Sequence, residues 1–382
     1  MPFSVEWSKL PFPHKISGHV AVVWRDSVIV WGGNNSRGKV PPDVVFMSVA
    51  GGDWVSMKTN GKAPEESRYT KAQVVNDKMY ILDFGDMTKN LINALDLKSL
   101  TWEVVAPRNS LSEVSDGFTS WVHGGMIYFF GGGCSKQGCI GMGGGCGGAS
   151  NLLYCYNSIN NTWDWPLHGG EVPSPREDLA TVIVDDMVYL FGGNRYMGGP
   201  FQVIADMEYN NDLYTLDMRS MMWRKVHGNC DQGEAPHPKL SPDHTLTKIS
   251  KSAAVLYAAL GGGDLFRPEC WILNLDNAMQ QKEPTSMWTK IQTPFPRVVH
   301  ASVLEPASQR LWVIGGEDNS EDGFTSDVIK MSINTVPLKT LAIDCIARHL
   351  KANDPKLTLN NCPERLLNEI EEHRSKIKDA IN

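Results

Sequence analysis

The sequence predicts an all-β protein, a six-bladed β-propeller followed by a short C-terminal helical segment. Three observations carry this prediction. A strand that ends in paired glycines recurs along the chain, a tryptophan follows most of these strands, and the spacing of apolar residues becomes helical near the end. We therefore expect two domains, a repeat domain over residues 1–335 and a helical segment over residues 336–382.

The composition is that of an ordinary globular protein. The chain has 382 residues, of which 42% are apolar and 21% charged. The formal net charge is −7 and the basic residues are scattered, which does not favour nucleic acid or an anionic membrane as a partner. No stretch approaches the roughly 18 apolar residues of a membrane span, and the N-terminus lacks the pattern of a secretory signal. We expect a cytoplasmic or nuclear protein.

The repeated strands are rich in β-branched and aromatic residues, which favour strands, and their glycines permit positive φ or the close approach of another backbone. The sequence KMYILDFGD at residues 78–86 supplies a sixth unit that lacks the first glycine. The glycine-paired strands are VIVWGG ending at Gly33, MIYFFGG ending at Gly132, MVYLFGG ending at Gly193, VLYAALGG ending at Gly262 and LWVIGG ending at Gly316.

A tryptophan recurs in the strand that follows each loop. The tryptophans in this position are Trp54, Trp102, Trp163, Trp223 and Trp288. The last unit has none, and Trp7 near the N-terminus would supply it by pairing the first strand with the last blade. Such pairing closes a ring and removes free sheet edges. The units resemble the kelch repeat, which forms one four-stranded blade of a β-propeller.

The eight cysteines do not form the framework of a small secreted protein. Four of them, Cys134, Cys139, Cys146 and Cys155, lie near one glycine-rich stretch. Their spacing lacks the tight pair that usually clips zinc. We expect reduced thiols in a flexible loop and predict no metal or cofactor.

The end of the chain carries two amphipathic patterns. In PLKTLAIDCIARHL, at residues 337–350, one helical face collects Leu338, Leu341, Ala342, Cys345 and Ile346. A second pattern, in NNCPERLLNEIEEHRSKI, has Pro363 in its first turn and an apolar face that includes Leu366, Leu367 and Ile370. Two short amphipathic helices need a common partner surface. The pattern leaves open whether they brace the propeller or dock onto another protein.

Both helices also resemble known docking motifs. The series P-L-x-x-x-A-x-x-x-I, from Pro337 to Ile346, resembles the box that binds Elongin C, with alanine at the small-residue position where cysteine is common. The series C-P-x-x-L-x-x-E-I, from Cys362 to Ile370, resembles the box that selects cullin-2, with cysteine at its first position where leucine is usual. In this order behind a propeller, they make the whole chain resemble the kelch-domain-containing substrate receptors of cullin-2 ubiquitin ligases.

This resemblance implies an adaptor that is not itself an enzyme. The propeller would hold a substrate protein or peptide, and recruited enzymes would transfer ubiquitin. The residues implied to bind Elongin C, with its partner Elongin B, are Leu338, Leu341, Ala342, Cys345 and Ile346. Those implied to bind cullin-2 are Pro363, Leu366, Leu367 and Ile370.

In several such receptors, a pocket at the mouth of the propeller binds the extreme C-terminus of a substrate, whose carboxylate suits paired arginines. The family pattern GGRxxR is replaced here by GGNRYM from Gly192, with Asn194 and Met197 at the arginine positions. Val299 stands where a relative has tryptophan. A protein C-terminus is therefore one candidate for the recognised element, or degron.

The substrate-binding candidates are Arg195, Tyr196, Arg176, Arg297 and His300. Arg195 and Tyr196 lie in a variable loop after a glycine pair, where propellers carry specificity. The other three fall near the predicted mouth, but the arginines could instead serve hydrogen bonds between blades, and His300 could be structural, as could His244.

Two other functional classes remain open. A kelch scaffold that acts without a ligase, for example on the cytoskeleton, would use the same propeller with the C-terminal helices as a brace. A metal-dependent kelch enzyme would need converging His, Tyr, Cys or carboxylate ligands, and no loop of the sequence carries such a pair at a telling spacing.

Overall fold

The computed structural model describes most of the chain up to residue 335. The described residues are 3–35, 38–39, 44–49, 53–64, 70–82, 92–110, 117–133, 149–196, 207–227, 238, 244–261, 265–280, 287–306, 308–321 and 323–335. Contacts between Cα atoms divide the chain into two units, Trp7–Lys330 and a second that combines Met1–Glu6 with Met331–Asn382. The predicted domain boundary after residue 335 stays a prediction, because residues 336–382 lie outside the described part.

The described chain is built almost entirely from short strands. In the first half these are β1 (Phe3–Pro11), β2 (Val20–Trp24), β3 (Ser27–Trp31), β4 (Asn34–Asn35), β5 (Gly38–Lys39), β6 (Val44–Val49), β7 (Trp54–Lys58), β8 (Lys71–Val75), β9 (Lys78–Leu82), β10 (Ile92–Asp96), β11 (Thr101–Val105), β12 (Phe118–His123), β13 (Met126–Gly131), β14 (Leu153–Asn157) and β15 (Thr162–Asp164). In the second half they are β16 (Gly169–Gly170), β17 (Glu177–Val184), β18 (Met187–Tyr196), β19 (Met207–Tyr209), β20 (Leu213–Asp217), β21 (Met222–Lys225), β22 (Thr245–Lys248), β23 (Ala253–Gly261), β24 (Phe266–Asn274), β25 (Trp288–Ile291), β26 (Ala301–Glu305), β27 (Arg310–Ile314) and β28 (Asp327–Thr335).

These strands form six sheets of at least four strands within the described residues, besides the small ribbon of β4 and β5. Numbered along the chain, sheet 1 has the order β2-β3-β6-β7, sheet 2 β8-β9-β10-β11, sheet 3 β12-β13-β14-β15, sheet 4 β17-β18-β20-β21-β16 with β19 also on β18, sheet 5 β22-β23-β24-β25, and sheet 6 β26-β27-β28-β1. Sheet 6 therefore combines the last strands of the chain with the first one.

One strand of each sheet lies on the inside of the unit. We call β2, β8, β12, β17, β22 and β26 the inner strands. Each inner strand contacts the next one: β2 contacts β8, β8 contacts β12, β12 contacts β17, β17 contacts β22, β22 contacts β26, and β26 contacts β2. Each is an edge strand of its own sheet. The inner strands thus surround a central channel, and this arrangement confirms the prediction of an all-β propeller.

The second strand of each sheet is apolar because both of its faces are covered. The central residues of β3, β9, β13 and β27 are buried without interruption, in sequences such as VIVW and MIYFF. A strand exposed on one face would instead alternate between apolar and polar residues. The runs of apolar residues in the sequence therefore mark strands that are packed between two neighbouring sheets.

The repeated tryptophans connect neighbouring sheets. Trp102 of sheet 2 packs on Trp31 of sheet 1 with 5.2 Å between ring centroids, and Trp223 of sheet 4 lies 4.8 Å from Phe130 of sheet 3. Trp7 in β1 follows the same pattern, since its ring lies 6.1 Å from that of Tyr257 in sheet 5. A large side chain in the outer strand thus fills the space against the second strand of the preceding sheet.

Sheet 5 departs from the predicted glycine pattern. Thr245 pairs with Tyr257, as Val20 pairs with Trp31 in sheet 1. By this register, Ala258 and Ala259 occupy the positions of the glycine pair. The ladder of β23 and β24 extends further, to Gly261, the first glycine of the predicted pair, and Gly262 lies outside the described residues. The strand therefore reaches the first predicted glycine, but in a register that differs from that of the glycine pairs in the other sheets, because glycines alone do not fix the register of a strand.

The described residues contain one helix, α1 (Leu275–Met279), which Asn274 caps by accepting a hydrogen bond from the Asn277 N–H at 2.9 Å. The two predicted C-terminal helices lie outside the described part of the chain. Among the described residues, no helix has the length and apolar character needed to cross a membrane.

Candidate functional site

The mouth of the channel is the end where the inner strands begin and where the glycine-pair loops leave the second strands. The strand registers place one residue of each sheet at the same position. It directly precedes the inner-strand residue that pairs with the last residue before the glycine pair, or before the positions equivalent to that pair. These six residues, which we call the mouth ring, are His19, Thr70, Phe118, Leu179, His244 and His300. All six are buried. Histidines of sheets 5, 6 and 1 therefore follow one another along one arc.

The residue before the mouth ring adopts a positive φ in several sheets. Gly18 and Gly117 have φ of 65° and 75°, and the non-glycine residues Asp178 and Val299 have 55° and 51°. A β-branched residue is strained in this region, and such strain persists where the surroundings enforce it. The carbonyl of Val299 accepts a hydrogen bond from the Gly18 N–H at 3.0 Å, which joins sheets 6 and 1. The strained conformation therefore serves a bond between neighbouring sheets at the mouth.

Two histidines of the arc, His19 and His300, are uncharged at neutral pH. Burial lowers the pKa of His19 to about 4, and burial together with the nearby Arg297 charge lowers that of His300 to about 3. The Nε2 atom of His300 lies 2.9 Å from the Thr245 hydroxyl, a bond between sheets 6 and 5, whereas its Nδ1 atom is buried without a partner. Neither ring nitrogen of His19 makes a hydrogen bond of normal geometry. His19 and His300 can therefore supply neutral hydrogen-bonding groups but no fixed charge.

A cavity of about 200 Å³ opens at this end of the channel. It is lined by the histidine arc and by hydroxyl and amide side chains of the inner strands. Thr247 bonds Ser302 at 2.5 Å, and the Gln73 amide donates to the Ser120 hydroxyl at 3.1 Å. Lys71, an exposed residue at the start of β8, is the one lysine or arginine among the lining residues, which include no aspartate or glutamate. The described wall is therefore polar and positively charged at one point.

The KLHDC2/KLHL20/DRC7 Kelch-repeats domain family matches residues 18–256, which is more than half of the chain. The chain belongs to this kelch-repeat family. Kelch domain-containing protein 1 of Homo sapiens is 24% identical over 394 residues, which cover 93% of this chain and 89% of that protein. Kelch domain-containing protein 3 of Rattus norvegicus is 24% identical over 259 residues, 62% of this chain and 63% of the relative.

Among solved structures, one titled "Structure of YjhT" superposes with a TM-score of 0.58. The alignment covers 85% of this chain and 99% of the other, with 12% sequence identity. At this identity the likeness establishes a shared fold alone. The kelch fold therefore rests on two independent findings, the family match and the structural superposition.

Two of the predicted substrate-binding residues of this kelch propeller are buried in its walls. Arg176 is 1% exposed and donates to Asp212 at 2.5 Å and to the Gly192 carbonyl at 2.9 Å. Arg297, also 1% exposed, bonds Asp318 at 2.9 Å and Asp327 at 2.6 Å.

These side-chain contacts lie within sheet 4 for Arg176 and within sheet 6 for Arg297, so they are not the bonds between blades that the sequence left as an alternative. A substrate carboxylate could reach either guanidinium only by displacing an aspartate. Burial raises the pKa of Asp327, but hydrogen bonds and the charges of Lys9 and Arg297 more than offset it, so this pKa lies below its ordinary value. The arginines and their carboxylates thus form neutralised pairs.

The other predicted residues lie closer to the loops. Arg195 and Tyr196 fall in the last part of β18, where their backbones pair with Glu208 and Met207 of β19. Their side chains lie outside what the structure describes. His300 is a member of the mouth ring and lines the cavity. The structure thus brings His300 together with Lys71 and the other histidines, and it places Arg195 and Tyr196 in the hairpin that extends sheet 4.

The structure describes the contacts of the two residues, Asn194 and Val299, that depart from the family pattern. Asn194, at the first arginine position, is buried, and its amide donates to Asp178 at 3.1 Å. Val299, where a relative has tryptophan, packs with Phe266, the first residue of β24 in the extended hairpin of sheet 5. The Phe266 N–H donates to the Asn319 side chain at 2.7 Å, which ties this hairpin to the loop of sheet 6. An aromatic residue of the neighbouring sheet therefore covers the position of the missing ring.

The sequence analysis missed the mouth ring as a unit and did not single out Lys71. A register alignment of the six units would have found both, because His19, His244 and His300 precede equivalent strands. Of the cysteines in the glycine-rich stretch, Cys134, Cys139 and Cys146 lie outside the described residues. Cys155 is buried in β14, where burial raises its thiol pKa to about 11. The described residues contain no cluster of metal-ligating side chains.

Proposed function

We propose that this protein is a substrate-recognition adaptor of a cullin-2 ubiquitin ligase with Elongin B and Elongin C. Its propeller presents a substrate degron, held at the mouth of the channel, to the recruited enzymes. Leu338, Ala342 and Ile346 with their neighbours dock onto Elongin C, and Leu366 and Ile370 with theirs dock onto cullin-2. The chain itself performs no chemistry in this role, which belongs to the cytoplasm or the nucleus.

The observation that carries this proposal is the order of the motifs in one chain. A kelch propeller is followed directly by a box of the Elongin C type and then by one of the cullin-2 type. The similarity to Kelch domain-containing protein 1 supports a shared arrangement beyond the propeller. A match to 93% of 382 residues must include at least about 20 residues after position 335. Relatives of the propeller alone would match less of the chain.

The proposal includes a propeller of six blades closed by the N-terminal strand. Six sheets of at least four strands and the closed order of contacts among the inner strands support this count. Closure leaves the channel open at its mouth, where a substrate segment can enter. The C-terminal segment then needs no place in the core, which suits two amphipathic helices that dock elsewhere.

Co-purification tests the proposal. We expect the full chain to capture Elongin B, Elongin C and cullin-2, and the Leu338→Asp, Ala342→Asp double variant to capture none of them, because two carboxylates would be buried in an apolar contact. A Leu366→Asp, Ile370→Asp variant should keep Elongin C and lose cullin-2. Leu167→Asp is the matched control, since Leu167 is 94% exposed on the propeller and its replacement should leave capture unchanged.

Failure of the wild-type chain to capture any of the three proteins would overturn the ligase role. If the Leu338→Asp, Ala342→Asp variant were then also less stable to heat than the Leu167→Asp control, the helices would be a brace. The protein would be a kelch scaffold without a ligase. A bound metal ion in the purified protein, measured by elemental analysis, would move the assignment to an enzyme instead.

A further inference from the structure

The channel has a second cavity at the end opposite the mouth, and we propose that it binds a small carboxylic acid with an apolar body. We call it the rear cavity. Its volume is about 390 Å³, within the range of roughly 300–1,000 Å³ that is typical of small-molecule sites. This inference goes beyond the proposed function, because the ligase role makes no use of this end of the channel.

The structure describes the surroundings of the rear cavity almost completely. All of its described lining residues lie on the six inner strands. The hairpins that join the inner strands to the second strands surround this end of the channel. Of their residues, Ala307, which carries no charge, is the one outside the described part. The chemistry of the wall can therefore be read from the strands and hairpins themselves.

The side chains at the rear opening are aliphatic in five of the six sheets. The strand registers place one residue of each sheet four positions after the mouth ring. All six are partly exposed, and all but the leucine line the rear cavity. An aliphatic wall binds water weakly, so an apolar ligand displaces this water favourably. These residues, which we call the rear ring, are Val23, Val74, Val122, Ile183, Lys248 and Leu304.

Four aliphatic members of the rear ring are held in place from behind. Each packs against a buried apolar cluster between two neighbouring sheets. A wall that is ordered before binding loses little conformational freedom when a ligand arrives. The rear cavity is therefore preformed on its apolar side. The four residues are Val23, Val74, Val122 and Ile183.

Deeper in the channel the wall becomes polar. Gln73, Ser120, Thr181, Thr247 and Ser302, which we call the polar belt, line both the mouth cavity and the rear cavity. The hydroxyls of Thr247 and Ser302 bond each other at 2.5 Å, and the Gln73 amide donates to the Ser120 hydroxyl at 3.1 Å. A bond between two hydroxyls uses one of their two hydrogens, and the other can be donated to a ligand. The polar belt thus places hydrogen-bond donors at the floor of an apolar cavity.

Lys248 sets the charge of the ligand. It is the one lysine or arginine among the described lining residues of the rear cavity, which include no aspartate or glutamate. Two aspartates of the surrounding hairpins are paired elsewhere, Asp77 with Lys98 at 2.5 Å and Asp186 with His123 at 2.8 Å. An ammonium group and hydroxyl donors bind a carboxylate through charge-assisted hydrogen bonds. A carboxylate on an apolar body therefore complements this wall.

Direct binding to the full chain tests the proposal. The probes are butanoate, hexanoate, benzoate and phenylacetate, each compared with its neutral amide, and dissociation constants are measured by NMR titration. We expect at least one acid to bind about tenfold or more tightly than its amide, because the carboxylate alone pairs with an ammonium group. Lys248→Met should reduce the affinity for this acid to that for the amide. Acetate, which lacks an apolar body, should bind more weakly than the four acids.

Lys251→Met is the matched control. Lys251 is an exposed lysine in the hairpin that follows Lys248, and it is not among the described residues that line the rear cavity. Its replacement changes the net charge by the same amount and should preserve the preference for the acid. Failure of all four acids to bind would refute the site, as would an equal loss of preference in the two variants.

A second pair of variants locates the bound acid. Within the described lining residues, Val122 contributes to the rear cavity and not to the mouth cavity. Val122→Phe should occupy part of the rear cavity and weaken acid binding about tenfold or more. Val55→Phe is the control, since Val55 is 50% exposed on β7, an outer strand.

Equal melting temperatures without a probe show that both phenylalanine variants fold normally. Unchanged acid binding in a folded Val122→Phe variant would contradict binding in the rear cavity. If this variant is unstable, the comparison of Lys248→Met with Lys251→Met decides alone.

These tests can fail separately from the ligase role. The Leu338→Asp, Ala342→Asp variant should bind the acids like the wild type, because its changes lie outside the propeller, and Lys248→Met should still capture Elongin C. Acid binding without capture of Elongin C would support the rear cavity in a scaffold protein. Capture of Elongin C without acid binding would refute the rear cavity as a site and leave the adaptor role standing.

Discussion

The glycine pair of sheet 1 offers a direct test of how the mouth is built. Gly32 and Gly33 both have positive φ, of 75° and 90°. A Cβ atom on Gly32 would meet nothing within 4 Å, whereas one on Gly33 would lie 2.7 Å from the Ser17 carbonyl oxygen and 2.9 Å from the His19 Cβ. The two positions therefore share the conformational constraint and differ in available space.

This contrast sets the magnitudes for the two alanine variants. Gly32→Ala should cost about 1–2 kcal/mol of unfolding free energy, the penalty of a left-handed conformation for a residue with a side chain. Gly33→Ala should cost about 1–3 kcal/mol more, because the backbone segment before β2 must shift to admit the methyl group. Urea unfolding of both variants beside the wild type measures the difference. Equal destabilisation would refute close backbone approach as the reason for the second glycine.

Three further predictions follow from buried groups. Trp223→Ala should lower the unfolding free energy by about 3–5 kcal/mol in urea denaturation, since Trp223 is 1% exposed. Trp165→Ala should lower it by less than about 1 kcal/mol, because Trp165 is half-exposed. Asp212→Asn should cost about 3–5 kcal/mol by the same assay, because it leaves the buried Arg176 charge without its carboxylate, and a change below 1 kcal/mol would contradict this ion pair. The pKa of His19 is about 4 in the folded state against 6.5 in the unfolded state, so the unfolded state binds more protons between these pH values. The contribution of His19 to stability is therefore complete above pH 6.5 and falls as the pH drops, by about 2 kcal/mol at pH 5. His19→Gln should abolish this part of the pH dependence of stability, measured by urea denaturation.

The fold was predictable from the sequence because its signals are local. Runs such as MIYFF mark strands that are buried on both faces, and Trp102 and Trp223 mark the outer strands that pack on the preceding sheet. The pairing register of the strands was harder to predict from the sequence. In sheet 5, Ala258 and Ala259 take the positions of the glycine pair, and no local composition distinguishes them from the glycines further on. Pairing partners decide this point, and they are distant in sequence.

The candidate site was less predictable because it collects single residues from every unit. Arg176 and Arg297 lie near the mouth in sequence pattern, but their carboxylate partners, Asp212 and Asp327, come 36 and 30 residues later. Burial and pairing of this kind depend on the tertiary structure. A sequence motif can therefore place an arginine near a site without indicating whether its charge is free. Lys71 was passed over for the converse reason, since no motif surrounds it.

The arrangement of charge at the mouth bears on how such a propeller changes its specificity. Replacing Arg176 or Arg297 would remove a fully buried guanidinium and its hydrogen bonds to partly buried aspartates, so such substitutions should lower stability. Lys71 is exposed and makes no hydrogen bond or ion pair with the described residues, so its exchange breaks no described bond between sheets. An exposed position such as Lys71 can therefore change while the contacts between arginine and aspartate and the histidine arc preserve the mouth. A comparison of Lys71→Glu with Arg297→Met should separate the two kinds of position: the first should leave the melting temperature unchanged, and the second should lower it, because it removes the bonds to Asp318 and Asp327.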